Sequence, residues 1–318
     1  MLALQAVALN RLEDAPVFGA DWTPARAEAY GYLAGSADPL LVKYGYALRS
    51  PRFRYGLFGS SRGMGISHRH IGLKESEFFN FSTGSTGFRQ SVALIQALAD
   101  AGKLPDTLLL TIDNFDIGYL RQIDWPTVFM RPSYHLGYLR EEIAAGANPL
   151  VLARASAEAV ASALRDMVTK FNIERLNGLR IFAQGVPTLS PNLFRPDGSR
   201  DMEAPGRAPP PLIIYSVPWP SMVAGMKADI ALLGRLAAAG HRIILYETPI
   251  APHLQAELEA RRNPATVRLR AEFMAACRQH GLECVPPPAP VPGDESMIWT
   301  SGSHAPPALL ARHIAGLL

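Results

Sequence analysis

The chain has little cysteine. Cys277 and Cys284 are the only two in 318 residues. That argues against a disulfide scaffold or a cysteine-ligated metal centre, since neither residue has metal-ligand spacing with another Cys or with His. The pair flanks RQHGLE, a helix end leading into a strand, and is expected as two free buried thiols, with a disulfide as the alternative. Charge of one sign is lacking too: 31 basic residues face 28 acidic ones, for a net charge of +3. No stretch is basic enough for a nucleic-acid partner. Lysine occurs at only five positions, 43, 74, 103, 170 and 227, and none has tyrosine four residues before it. No apolar run approaches the ~20 residues of a spanning helix. The opening MLALQAVALN is apolar without a basic start; it reads as the stub of a trimmed anchor or as a docking helix.

What remains is ordinary globular material, 48% hydrophobic and 19% charged. A core of this size needs no covalent staple. Residues 1–50 read as a helical extension that includes TPARAEAYGYLA. RYGLFG is the first strong strand and SEFFNFS, 76–82, the second. FRQSVALIQALADAG, 88–102, has helical spacing and stops at Gly102. DTLLLTID, 106–113, is a continuous apolar run, the mark of a strand buried on both faces. Residues 120–211 break the rhythm. NPLVLARASAEAVASALRDMVTKF predicts a helix or helix pair, and SPNLFRPDGSRDMEAPGRAPPP a mobile polar loop; together they read as an insertion, either a cover over the site or a plain surface excursion. Alternation then resumes through PLIIYSVPWP, MKADIALLGRLAAAG, HRIILYETP, ATVRLRAEFMAACRQHG, LECVPPP and the closing helix APPALLARHIAGLL. The pattern predicts an α/β fold with a parallel sheet, whose sites form at the carboxyl ends of the strands. Gly59–Ser61, Gly84–Gly87 and Asp113–Asn114 all fall at such ends and are expected to converge.

FGSSRGMGIS, residues 58–67, admits two readings. Its glycines suggest a dinucleotide loop of the kind found in short-chain dehydrogenases. Such a loop opens a long helix at once, because the helix N-terminus holds the pyrophosphate. Here ISHRHIGLKESE follows, a poor helix, and the Tyr-x-x-x-Lys pair of that family is missing. In the other reading Ser61 is a nucleophile, which needs a base for its proton and donors for the developing oxyanion.

Four blocks carry a resemblance in favour of the serine. WTSGSHAPPALLARHIAGLL resembles the closing Asp-x-x-His segment of the SGNH (GDSL-like) hydrolase superfamily, LFGSSR its Gly-Asp-Ser block, NFSTGSTG its glycine block and LTIDN its Gly-x-Asn-Asp block. LAAAGHRIILYETPIAPH is similar to a unit of the bacterial extracytoplasmic branch tied to polysaccharide acylation. The resemblance spans about residues 55–118 and 212–318. It implies a flavodoxin-like three-layer sandwich over 51–318, Ser61 as nucleophile and His304 as general base. It also implies oxyanion donors from Ser61 itself, from Gly84 or Gly87, and from Asp113 or Asn114. Strict spacing selects Asp113. Physics prefers Asn114, because an ionised carboxylate repels an oxyanion whereas an amide donates.

Two departures stand out. Ser60 replaces the aspartate before the nucleophile, and Ser301 stands where the triad aspartate would orient His304. The ring's orienter is then Ser301, a backbone carbonyl, or Asp294 or Glu295 by substitution. The resemblance implies serine-dependent ester hydrolysis or O-acetyl transfer on a carbohydrate or similar polar substrate, or else a degenerate site that only binds. It implies an extracytoplasmic setting, an acyl donor protein or membrane acyltransferase as partner, and no cofactor or metal. Other residues read more plainly. His68 and His70 suggest an exposed loop rather than metal ligands. Trp125, Trp219 and Trp299 are core packing or a sugar platform. His253 is a helix start or a substrate contact, and Arg62 an anion contact or a structural salt bridge.

Overall fold

The computed structural model describes residues 39–84, 86–113, 115, 197–199, 220–252, 264–289 and 304–318, with isolated positions between 136 and 161 and at 259–260. Among the described residues, five strands form one sheet: β1 Tyr55–Gly59, β2 Phe78–Asn80, β3 Thr107–Ile112, β4 Arg242–Glu247 and β5 Glu283–Val285. All neighbouring pairs are parallel, in the order β2-β1-β3-β4-β5. This is the flavodoxin-like doubly wound order. Its topological switch point lies between β1 and β3, where the chain runs off in opposite directions and leaves a crevice at the strand ends.

Side chains alternate across the pleat, so the sheet has two apolar faces. On one, Phe58, Phe79, Leu108, Leu110, Ile243 and Leu245 pack beneath four helices: α1 Pro39–Arg49, α2 Phe88–Asp100, α3 Pro220–Ala238 and α4 Pro264–Gln279. A buried ion pair, Arg89 Nε to Asp229 Oδ2 at 3.2 Å, ties α2 to α3 on this side. On the other face Leu57, Phe78, Leu109, Ile244 and Tyr246 meet α5, Pro307–Ala315, together with Ile66 and Ile71 from the stretch after β1. Pro307 starts α5 in its first turn, where a missing N–H costs nothing. Leu309, Leu310 and Ile314 then face the sheet. This orientation fixes the site, because the residue just before α5 is delivered to the edge where β1 ends.

The helix and strand pattern between 54 and 113, and that of the described residues from 226 onward, matches the sequence expectation. Three readings are corrected. Cys277 and Cys284 are bonded, with Cα atoms 6.1 Å apart. Gly281, at φ +65°, turns the chain sharply enough after α4 to bring β5 back alongside the helix end. His68 and His70 are half-buried rather than exposed. His70 Nδ1 accepts from the Ser67 N–H at 3.0 Å, and His68 Nδ1 lies 2.7 Å from Asp197 Oδ2.

The third correction concerns the polar Pro/Gly-rich loop. Asp197, Gly198 and Ser199 are fully buried, and the Asn80 N–H donates to Asp197 O at 2.7 Å, so this stretch lies along the outer edge of β2. Positions 149, 150, 152–154, 156, 157 and 161 are helical, as NPLVLARASAEAVASALRDMVTKF predicts. Apart from the described positions between 136 and 161, the rest of the insertion, the first 38 residues and PLIIYSVPW lie outside the described residues. Within the expected N-terminal extension, Pro39–Arg49 forms α1, which is part of the core rather than an appendage: Leu40, Tyr44 and Ala47 are buried in the main cluster.

Candidate active site

β1 ends at Gly59, whose φ of +140° turns the chain out of the sheet. A Cβ there would strike the side chain and carbonyl of Thr111 on β3. The following turn closes through Gly63 N–H to Ser60 O at 3.1 Å and Met64 N–H to Ser61 O at 3.3 Å. A Cβ on Gly63 would lie 2.7 Å from Ser82 Oγ, so this glycine lets the turn pack onto the sheet. Gly59 and Gly63 of FGSSRGMGIS thus serve close packing against β3 and the β2 exit, and Ser61 lies in the turn between them.

Ser61 Oγ lies 2.7 Å from His304 Nε2. The two come from positions 243 residues apart, brought together because Ser61 caps β1 and His304 leads into α5. Burial, first, and the nearby Arg62 guanidinium, second, disfavour imidazolium, while Asp113 works the other way; the result is a His304 pKa lowered to about 4. At neutral pH the ring is therefore uncharged and able to accept a proton.

Around this pair runs a charged network. Ser60 Oγ donates to Asp113 Oδ1 at 2.5 Å, and Arg62 Nη1 meets Asp113 Oδ2 at 2.6 Å. The Arg62 N–H and Nη1 also reach Ser60 Oγ, at 3.3 and 3.5 Å. Three consecutive residues, Ser60, Ser61 and Arg62, thus alternate between gripping Asp113 and presenting a hydroxyl to His304. Beyond Asp113, the Phe115 N–H donates to Glu247 Oε1 at 3.1 Å, and Arg270 clamps Glu247 through Nε and Nη2.

The expected oxyanion donors divide. Gly84 is exposed between Thr83 and Thr86, whose hydroxyls bond to each other. Its N–H meets no acceptor among the described residues, and the same holds for the N–H of Ser61. Gly87 does not serve: it caps α2, and its N–H is taken by Gln90 Oε1 at 2.5 Å. The side chain of Asp113 does not serve either, because it accepts from Ser60 and pairs with Arg62, so it has no proton to offer. Asn114, Ser301, Asp294, Glu295, His253, Trp125, Trp219 and Trp299 lie outside the described residues. The Arg62 salt bridge is present as the plainer of its two readings.

Sequence reading missed the residues that hold the turn. Asn80 is fully buried at the end of β2. Its Nδ2 donates to Gly63 O at 2.9 Å, Ile66 O at 2.8 Å and Met64 O at 3.3 Å, while its Oδ1 accepts from the Ser82 N–H at 2.9 Å. Lys43, 0% exposed, sends Nζ to Asn80 O, Ser82 O and Gly198 O at 2.6–2.7 Å. An ammonium has three donors, and three carbonyls meet them. Asp197 closes the arrangement. Burial pushes its carboxyl up, but hydrogen bonds from His68 and Ser199 outweigh that and hold it below its ordinary value. The available signal was a lone polar residue within each apolar run, Asn80 in EFFNFS and Lys43 in PLLVKYGYAL.

Among the described residues, no group of three or more His, Cys, Asp or Glu is placed to hold a metal ion. Comparison with known proteins gives no match to a family model, a curated protein or a solved structure.

Proposed function

We propose that this protein is a serine-dependent esterase or O-acyltransferase of SGNH type, acting through an acyl-Ser61 intermediate on a carbohydrate ester or similar polar substrate. The observation that carries the reading is the 2.7 Å contact between Ser61 Oγ and a neutral, half-buried His304 at the switch point of the sheet. His304 Nε2 takes the Ser61 proton as Oγ attacks the ester carbonyl. The carbonyl π pair moves onto its oxygen, for which this reading assigns the Ser61 and Gly84 N–H groups as donors. When that pair returns, the ester C–O bond breaks and the leaving alkoxide takes the proton from His304. Water or an acceptor hydroxyl then repeats the sequence and frees the acyl group. The bonded cysteines support an oxidising, extracytoplasmic setting. An acyl donor protein or membrane acyltransferase belongs to the transferase form of this reading.

The test is turnover of a chromogenic acetyl ester with and without sugar acceptors. Ser61→Ala is expected to lower kcat/KM by at least about a thousandfold. Sugar-dependent acceleration identifies the transferase; full activity in the variant rejects Ser61 as nucleophile. The replacement of aspartate by Ser60 and Ser301 favours a second reading, a catalytically silent scaffold that binds glycans. Glycan affinity without ester turnover would select it.

A further inference from the structure

The site lacks the acid that the resemblance leads one to expect three residues before the histidine, yet it holds a carboxylate in another place. Asp113 stands at the end of β3, next to the strand that carries Ser61: Gly59 is in register with Thr111, two residues before Asp113. It is fixed by two bonds from residues flanking the nucleophile, Ser60 Oγ at 2.5 Å and Arg62 Nη1 at 2.6 Å. A side chain gripped from both sides of Ser61 moves with the nucleophile turn, and its charge stays at a set place relative to the imidazole.

We propose that Asp113, held by Ser60 and Arg62, is a positioning residue that carries the charge-balancing half of a triad acid's work: it counters the positive charge His304 acquires on taking the Ser61 proton. The inference rests on the serine reading above.

Two requirements conflict at His304, and the pair meets both. The resting ring must be neutral to accept a proton, which burial and Arg62 favour. The ring becomes imidazolium as Ser61 attacks, and that form is then disfavoured by the same two influences. Arg62 and Asp113 both act on the ring, with opposite signs. A carboxylate near the ring offsets the repulsion at the moment of proton transfer, as a triad acid does, without lying behind the imidazole to orient it. Asp113 therefore works electrostatically through His304, and Ser60 occupies the aspartate position of the family block because its hydroxyl is needed to hold Asp113.

The experiment follows His304 directly in the full chain. The imidazole is titrated by NMR in wild type, Asp113→Asn, Arg62→Gln, the double variant and Ser60→Ala, with ester turnover measured across pH in parallel. Asn keeps the shape and loses the charge. His304 is expected to titrate about one pH unit lower in Asp113→Asn and about one unit higher in Arg62→Gln. The double variant should return close to wild type, and Ser60→Ala, which releases one of the two grips on Asp113, should shift in the direction of Asp113→Asn but by less. In turnover, Asp113→Asn should lower kcat at least about tenfold, with KM within about twofold. An unmoved titration in Asp113→Asn, or a double variant no closer to wild type than either single one, overturns the proposal. Should Asp113→Asn not fold, an unmoved titration in Arg62→Gln does the same. Failure of the serine reading looks different: Ser61→Ala would keep its turnover while the His304 titrations still respond to the two charges.

Discussion

At the scale of single residues, His304 sets the pH behaviour of the site. Its ring must be neutral to accept the Ser61 proton. With a pKa lowered to about 4, the competent form dominates above that value and is lost as pH falls through it. An exposed histidine would begin to fail about two pH units higher. Elsewhere a buried hydroxyl departs from the usual pairing rule. Tyr246 on β4 is buried among Leu57, Ile66 and Ala305, and its hydroxyl finds no hydrogen-bond partner among the described residues. Burial pushes its phenol well above the ordinary range. An unpaired buried hydroxyl costs about 1–3 kcal/mol. Tyr246→Phe, which keeps the ring and removes that group, is therefore expected to stabilise the fold by about 1 kcal/mol in urea denaturation. A loss of stability would show that the hydroxyl is satisfied in solution.

At the scale of elements, the sheet and its helices could be read from periodicity, because DTLLLTID and RIILYE are apolar on both faces and each helix closes on a glycine or starts on a proline. The contacts that join elements could not. The Cys277–Cys284 bond depends on how tightly the Gly281 turn returns the chain, which spacing alone does not state. Lys43 is another case: an isolated lysine in a helix reads as solvent-facing, whereas here three strand-end and loop carbonyls need a donor and α1 supplies it. The disulfide closes a short loop, so its contribution is modest, about 2 kcal/mol in the chain-entropy account. Cys277→Ala with Cys284→Ser is expected to lower the thermal midpoint by several degrees without altering far-UV circular dichroism. An unchanged midpoint would mean that the bond adds nothing to the folded state.

At the scale of the whole molecule, one sheet edge gathers what the chain keeps far apart. β1 delivers Ser60, Ser61 and Arg62, β3 delivers Asp113, and the approach to α5 delivers His304, all beside the switch point. Ser61 and His304 were legible because each sits next to a recognisable strand end or helix start. The separate uses of Gly84 and Gly87 were not, since which N–H is already bonded depends on the Gln90 cap. Nor was the anchoring of Asp197 against β2, because a Pro-Asp-Gly-Ser stretch has the composition of a free loop. The central claim is that Ser61 is a nucleophile activated by a neutral histidine, and a fluorophosphonate probe tests it most directly. The account predicts stoichiometric labelling, mapped to Ser61 by peptide mass spectrometry, at a rate that stays level from neutral pH downward and falls through about pH 4. Absence of labelling, or labelling at another residue that persists in Ser61→Ala, would contradict it.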